Sequence, residues 1–398
     1  WGINKDGVGF EANLGYSQPA DYGLETVGLG FVAGGASGPT LANQTVAGFE
    51  TDSPFYLGLF GLGTQPVNYS IIGNFSAQSY FSNLRAQSLI PGLSWSYTAG
   101  AKYPSGLKDG QYGQLIFGGY DSSRFTSNTA TFTLNQDIDR DIVVAIQSIT
   151  YSGTTQETLL STPIFAFIES TDPNIWLPAA ACTAFEKAFG ISIDKSTGLY
   201  LINSTHYSQL VATNPEVTFS IANSLSGGQS VNIVLPFNAF ALSASYPFTP
   251  ADTYYFPLKK AANDTQYTLG RTFLQEAYLT VDYERGNFSV SQCVWNDGAT
   301  PQINSILSPS YVTNSTDSNR PASAKAKTVN TGAIAGAAIA GVAVLGLVGG
   351  ALWYFLRRRK QNAAESAAPD NVALTNVHPE LPTYPGEPFP NPHASPPL

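Results

Sequence analysis

Residues 328–356 carry no charged side chain, and Gly332 to Leu356 is a 25-residue run of Gly, Ala, Val, Ile, Leu and three aromatics. At about 1.5 Å per residue a helix of that length reaches roughly 37 Å, enough to cross a hydrocarbon core of about 30 Å with some tilt. The run ends in Trp353-Tyr354-Phe355 and then Arg357-Arg358-Arg359-Lys360. Interfacial aromatics followed by a basic stop predict a single-pass type I span, with the tail cytoplasmic and everything before it extracellular or lumenal. Gly332/Gly336 and Gly346/Gly350 are two small-xxx-small pairs, which suit either a helix dimer or a merely Gly/Ala-rich span.

Seven Asn-x-Ser/Thr sequons, at Asn43, Asn68, Asn74, Asn203, Asn263, Asn287 and Asn314, all precede the run. That one-sidedness agrees with a glycosylated ectodomain. In an oxidising lumen Cys182 and Cys293 are expected to pair. Closing a loop of about 100 residues would stabilise the fold by roughly 4–5 kcal/mol in the chain-entropy picture.

Composition then removes reaction classes. The chain has three His, two Cys, no Met and a net charge of −9. His378 and His393 lie in a Pro-rich tail, which leaves His206 alone in the body. A His-based metal centre, a Cys-rich zinc site and a Cys–His pair are excluded as working hypotheses, and no cofactor is implied. The body has no Lys/Arg cluster for nucleic acid. Carboxylates, hydroxyls and backbone dipoles remain as catalytic groups.

The body reads as all-β. Short apolar or alternating runs, such as Gln114–Phe117, Ile142–Ile146 and Val231–Leu235, are bounded by Gly, Pro, Asn and Asp. Two helices are predicted, one within Phe75–Gln87 and one at Ala181–Phe189 stopped by Gly190. Nearly 300 residues exceed one ordinary β core, so two lobes are expected, over 1–140 and 141–298. Residues 299–330 read as a Ser/Thr/Asn-rich stalk, 331–356 as the span, and 357–398 as a disordered Pro-rich tail. In the tail, Leu381-Pro382-Thr383-Tyr384 has the form of a ligand for a WW-type Pro-binding domain.

Two stretches echo each other about 210 residues apart: Leu57-Gly58-Leu59-Phe60-Gly61-Leu62-Gly63 and Tyr267-Thr268-Leu269-Gly270-Arg271-Thr272-Phe273-Leu274. Each sets Gly directly after apolar residues, where a strand must pass close to another backbone. The second runs on into Thr280–Val290, and Gly113–Asp121 ends in a double Gly and Asp. With these segments, residues 10–295 resemble the pepsin-like aspartic proteases, with membrane-anchored fungal members as the nearest type.

The resemblance implies a bilobal acid-protease fold and peptide hydrolysis by two carboxylates sharing one proton. One Asp comes from each lobe, on an Asp-Thr/Ser-Gly turn. One carboxylate acts as base toward water; the other, protonated, polarises the scissile carbonyl. The pair titrates with macroscopic pKa values of its own.

The sequence departs from this pattern twice. No Asp-Ser/Thr-Gly occurs. The first lobe's Asp turn belongs upstream of the first apolar-Gly stretch, so the sequence is expected to lack roughly 60–100 residues of the ectodomain, judged from a lobe of ordinary domain size. The flap over the substrate then falls near Gly7–Tyr22, with Tyr16 and Tyr22 as its candidate tyrosines. In the second lobe the turn reads Ile168-Glu169-Ser170-Thr171, with Glu where Asp is expected and Thr for the family's Gly. Glu169, Ser170 and Thr171 are the candidate catalytic residues, and Asp172 is expected to point elsewhere. Three functions stay open: a membrane-anchored endopeptidase with an altered dyad, a non-cutting pseudoenzyme that binds peptide or wall components, and a surface sensor working through its tail.

Overall fold

The computed structural model describes residues 2–314, apart from 9–11, 17, 31–36, 50–57, 71–72, 108, 154 and 297. Strands dominate. An eight-stranded sheet fills the second half of this body, in the order Ser230–Pro236, Glu216–Ala222, Val143–Ser152, Ile164–Ile168, Thr268–Leu269, Ile175–Leu177 and Leu258–Lys260, with Gln156–Thr158 added beside Val143–Ser152. The alternation in the sequence sets its faces. Val217, Phe219 and Ile221 are buried opposite Leu235, Ile233 and Val231. A one-residue slip would turn all of them to solvent, so the register is strongly specified.

Under this sheet lies a cluster of aromatic rings, Phe185, Phe189, Phe237, Phe240 and Phe256, with centroids 4.5–6.4 Å apart. Each such ring contributes roughly 2–3 kcal/mol through burial. Phe185 and Phe189 come from the helix Ala179–Phe189, two residues longer at its start than the sequence pattern indicated. Pro178 precedes it and Gly190, at φ +59°, ends it in the left-handed region. A Cβ on Gly190 would stand 2.9 Å from His206 Nε2. That ring nitrogen is 2.8 Å from the Phe189 carbonyl, so the one histidine of the body serves a helix end.

A five-stranded sheet joins the two halves, in the order Gln111–Phe117, Ser94–Ala101, Ala277–Asp282, Asn287–Gln292 and Phe132–Thr133. Leu279 faces Tyr97 and Val281 faces Trp95 across it. In the first half, Gly2–Val8, Gln18–Gly28 and Thr40–Gly48 form a three-stranded sheet. The helix expected within Phe75–Gln87 spans Tyr80–Ala86. It starts late because Phe75–Ala77 pairs with Val67–Tyr69 and Ser79 caps it, its hydroxyl accepting from the Ser82 N–H. Phe81 and Leu84 are buried, and Arg85 meets Glu284 at 3.1 Å.

The expected disulfide is absent: Cys182 and Cys293 are free and buried. Cys182 lies on the inner face of its helix, its Sγ 3.6 Å from the carbonyls of Leu177 and Lys259. Cys293 ends a strand of the joining sheet, its Sγ 3.5 Å from Thr98 Oγ1. Each sulfur packs against its own sheet, with no partner thiol beside it. Burial pushes the Cys182 thiol up to about 11 and raises that of Cys293 as well. Both thiols are therefore expected to resist a maleimide in the native protein and to take one label each after denaturation without reductant. Mass spectrometry reads this directly; a disulfide would leave both unlabelled.

Within the expected stalk, Ile303–Ser305 pairs with Gly119–Asp121 and Pro309–Asn314 is helical. Among the sequons, Asn43, Asn68, Asn74, Asn203 and Asn263 are exposed and Asn287 is half-buried. Asn203 also caps the helix Ser204–Thr213. Among the described residues no helix is long and apolar enough to cross a membrane. The Gly332–Leu356 run, the tail motif Leu381–Tyr384 and the Asn314 side chain lie outside the described residues.

Candidate active site

The strand Ile164–Ile168 runs parallel to Thr268–Leu269, with Ile168 beside Leu269. Ile175–Leu177 returns antiparallel on the other side of that same strand. Residues 169–174 must therefore cross over a strand end, and a ladder of bonds fixes the crossing. The Glu169 N–H donates to the Leu269 carbonyl at 3.1 Å and the Gly270 N–H to that of Asn174 at 3.1 Å. The Arg271 N–H donates to the Asp172 carbonyl at 2.8 Å, and Thr272 Oγ1 to that of Pro173 at 2.7 Å. Arg271 Nη1 donates to the Ser170 carbonyl at 2.8 Å and also to that of Thr171.

Gly270 is needed where these backbones meet. A Cβ there would lie 2.2 Å from the Asn174 carbonyl oxygen and 2.4 Å from that of Asp172. Neither atom can withdraw without breaking the ladder. Gly270→Ala is expected to destabilise the fold by more than about 3 kcal/mol, read as a lower urea midpoint at unchanged slope. A midpoint within error of the parent would contradict this account of the crossing.

Glu169, Ser170 and Thr171 are half-buried and line one cavity of about 240 Å³. Glu169 Oε1 accepts the Thr171 N–H, so the carboxylate is bonded back to its own turn. The same cavity is lined by Gly61, Leu62 and Gly63. The two echoing stretches thus converge on one place. Trp95, Tyr97, Leu274 and Leu279 add apolar and aromatic surface, and Thr64, Gln65, Asp139 and Asp141 add polar surface. Asp172 is fully buried behind the turn, as its place in the sequence suggested. Its Oδ1 accepts from the Asn174 backbone and side chain, and its Oδ2 from the Tyr16 hydroxyl at 3.0 Å.

The candidate flap is a hairpin of Gly2–Val8 with Gln18–Gly28. Tyr16 lies in its connection and reaches the second-lobe turn through Asp172; Tyr22 stands mid-strand opposite Gly2 and Ala47. Asn13, in the same connection, exchanges bonds with Thr265 and Gln266.

Asp141 is a carboxyl in the Glu169 cavity that sequence reasoning missed. Val143 faces Phe167, and the Ile168 N–H donates to the Ile142 carbonyl at 2.9 Å, so the same register brings 141 opposite 169. Counting along the two apolar runs would have revealed this had their pairing been known. Burial pushes the Asp141 carboxyl above the usual range, against a hydrogen bond from Tyr283. Among the described residues no group of three or more His, Cys, Asp or Glu could hold a metal ion.

A carboxylate on a strand-crossing turn, lining one cavity with an apolar-Gly loop from the first half of the body, fits the acid-protease architecture. Residues 23–293 match the eukaryotic aspartyl protease family, and the chain belongs to that family. Two curated relatives are the aspartic proteinase 3 of Saccharomyces cerevisiae, 24% identical over 197 residues, and the acid protease of Saccharomycopsis fibuligera, 25% identical over 304. The first match covers 47% of this chain but only 32% of the yeast protein; the second covers 72% and 68%. Among solved structures, the aspartic proteinase from Irpex lacteus superposes with a TM-score of 0.50 at 19% identity, over 71% of this chain and 80% of that one, a likeness of fold.

Proposed function

We propose that this chain forms the peptide-binding body of a membrane-anchored aspartic-type endopeptidase, with Glu169 as the second-lobe carboxylate, and that as it stands it cuts peptide bonds poorly. One observation carries the reading: the crossing turn holds Glu169 in a cavity that Gly61–Gly63 also line. The relatives' names, acid protease and aspartic proteinase, support peptide hydrolysis at acidic pH. Substrates are secreted or cell-surface polypeptides, given the sequons ahead of the uncharged run and the basic stop after it. The mixed apolar and polar cavity walls suit an extended peptide, which offers both side chains and backbone groups.

A second reading rests on Glu169 being turned back onto the Thr171 N–H. It is a pepsin-like pseudoenzyme that binds peptide or wall components without cutting. One assay separates the two. The full 398-residue chain is offered a mixed peptide library at pH 3–6, beside Glu169→Asp and Glu169→Ala. Weak cutting by the parent, lost in Glu169→Ala, supports the endopeptidase. No cutting by the parent, with cutting gained in Glu169→Asp, supports the pseudoenzyme. Cutting that survives Glu169→Ala removes Glu169 from the site. The tail motif Leu381–Tyr384 is a docking site for a WW-type partner in the sensor version of this reading. Tyr384→Ala is then expected to alter sorting or turnover of the chain, and unchanged turnover in a pulse-chase would discard it.

A further inference from the structure

Behind the Glu169 turn lies a second cavity, of about 550 Å³, whose lining shares no residue with the first. Its charged residues are Lys102, Asp109 and Arg271. Arg271 spends one guanidinium nitrogen, Nη1, on the Ser170 and Thr171 carbonyls. Among the described residues its Nε and Nη2 have no acceptor, and the Lys102 ammonium has no partner. Asp109 is exposed and pairs with neither cation, so the cavity has an uncompensated positive charge. Part of its wall is bare backbone: a Cβ on Gly100 would stand 2.3 Å from the Gly113 nitrogen, and both glycines line the space. Tyr112, Leu242 and Pro173 give it apolar sides.

We propose that this cavity binds a carboxylate carried on an extended peptide, and that Arg271 couples its occupancy to the Glu169 turn. A lone small anion would leave most of the volume empty. A peptide fills it, with the apolar sides against its chain and its carboxylate between Lys102 and Arg271. A carboxylate pairs with the free fork of Nε and Nη2 and attracts the guanidinium as one full charge attracts another, a pull toward the cavity that two neutral carbonyls on Nη1 do not match. Binding therefore draws Arg271 off the Ser170 and Thr171 carbonyls and loosens the turn. By linkage, a ligand that tightens the turn on the Glu169 side weakens binding behind it. The coupling rests on the reading of Glu169 as the functional carboxylate; the binding does not.

The test uses the full 398-residue chain and needs no hydrolysis. Titration calorimetry compares acetyl-Ala-Ala-Asp-Ala-amide, its Asn counterpart, acetyl-Ala-Ala-Ala with a free carboxyl terminus, and succinate. The Asp peptide is expected to bind at least about 10-fold more tightly than the Asn peptide, the loss anticipated for one charge-assisted contact. Tighter binding of the free-terminus peptide would identify a chain end as the natural carboxylate, and tightest binding of succinate would overturn the peptide. Lys102→Ala leaves the turn untouched and is expected to weaken the Asp peptide several-fold. Arg271→Lys keeps the charge but loses the fork geometry, so it should still bind within a few-fold of the parent. Hydrogen exchange over residues 168–174 reads the coupling: the Asp peptide should speed exchange in the parent and leave Arg271→Lys unchanged. Equal binding of the Asp and Asn peptides overturns the site. Binding with no change in exchange in the parent overturns the coupling and leaves the Glu169 reading to its own assay.

Discussion

Glu169→Asp is expected to raise peptide hydrolysis by about 10²-fold over the parent chain. Glu carries one methylene more than Asp, which advances its carboxylate by about 1 Å, and a displacement of that size at a reacting group can cost about 10²-fold in rate. The backbone of the turn is too well fixed to take up the difference. Bonds from Glu169, Gly270, Arg271 and Thr272 tie residues 169–174 to the strand beneath. The carboxylate instead bends back to accept the Thr171 N–H. With Asp at 169 the shorter side chain reaches that N–H without folding back, and its second oxygen faces the cavity. Glu169→Ala should abolish cutting, with the urea midpoint held near that of the parent because the residue is half-buried and its backbone bond to Leu269 survives. The measurement is kcat/KM on one peptide recovered from the library, at the parent's own pH optimum. If Glu169→Asp and the parent have equal kcat/KM, the extra methylene is no impediment and Glu169 does not act as the second-lobe carboxylate we propose.

The site and the fold were legible in the sequence to different depths. The crossing turn was readable because the strand-crossing architecture demands Gly where backbones touch, and Gly270 stands there for that steric reason. The helix Ala179–Phe189 was readable because Phe185, Phe189 and Gly190 are local signals. Asp141 was not, since a residue comes opposite 169 only through the pairing of two strands, which one sequence does not reveal. The Cys182–Cys293 pairing failed for a related reason. Counting thiols and a compartment says nothing about which face of a helix or strand each sulfur takes. Arg271 escaped notice because its role is to hold carbonyls, and main-chain carbonyls leave no trace in side-chain patterns.

Between pH 4.5 and 7 the residue Glu276 is expected to cost the folded body about 3 kcal/mol of stability as pH rises. Its side chain is 5% exposed in the joining region. Tyr103 donates to its Oε1, and Gln292 Nε2 donates to its Oε2 at 2.9 Å. Cys293 and Trp295 also face it, and none of these neighbours is a cation. Burial therefore dominates and pushes the carboxyl from 4.5 up to about 7. Below pH 4.5 both the folded and unfolded chains hold the proton, and the stability is fully present. From 4.5 to 7 only the folded chain holds it, so each rise in pH favours unfolding; above 7 both are ionised and the loss is complete. A carboxyl displaced this far corresponds to about 3 kcal/mol. Asp121 and Glu284 have the opposite sign. Burial acts to raise both, but hydrogen bonds from Ser123, Gln302 and Gln114 on the first, and from Leu93, Arg85 and Ser308 on the second, outweigh it and hold them low. Their stabilisation is present above the unfolded values of 3.8 and 4.5 and is lost as pH falls through the lower folded values. The two trends cross in the acidic range and place the stability maximum there. Glu276→Gln removes the larger titration, so its unfolding midpoint should fall much less between pH 5 and 7.5 than the parent's, which falls by roughly 5 °C or more. Parallel profiles for the two proteins would assign the neutral-pH weakness to another group.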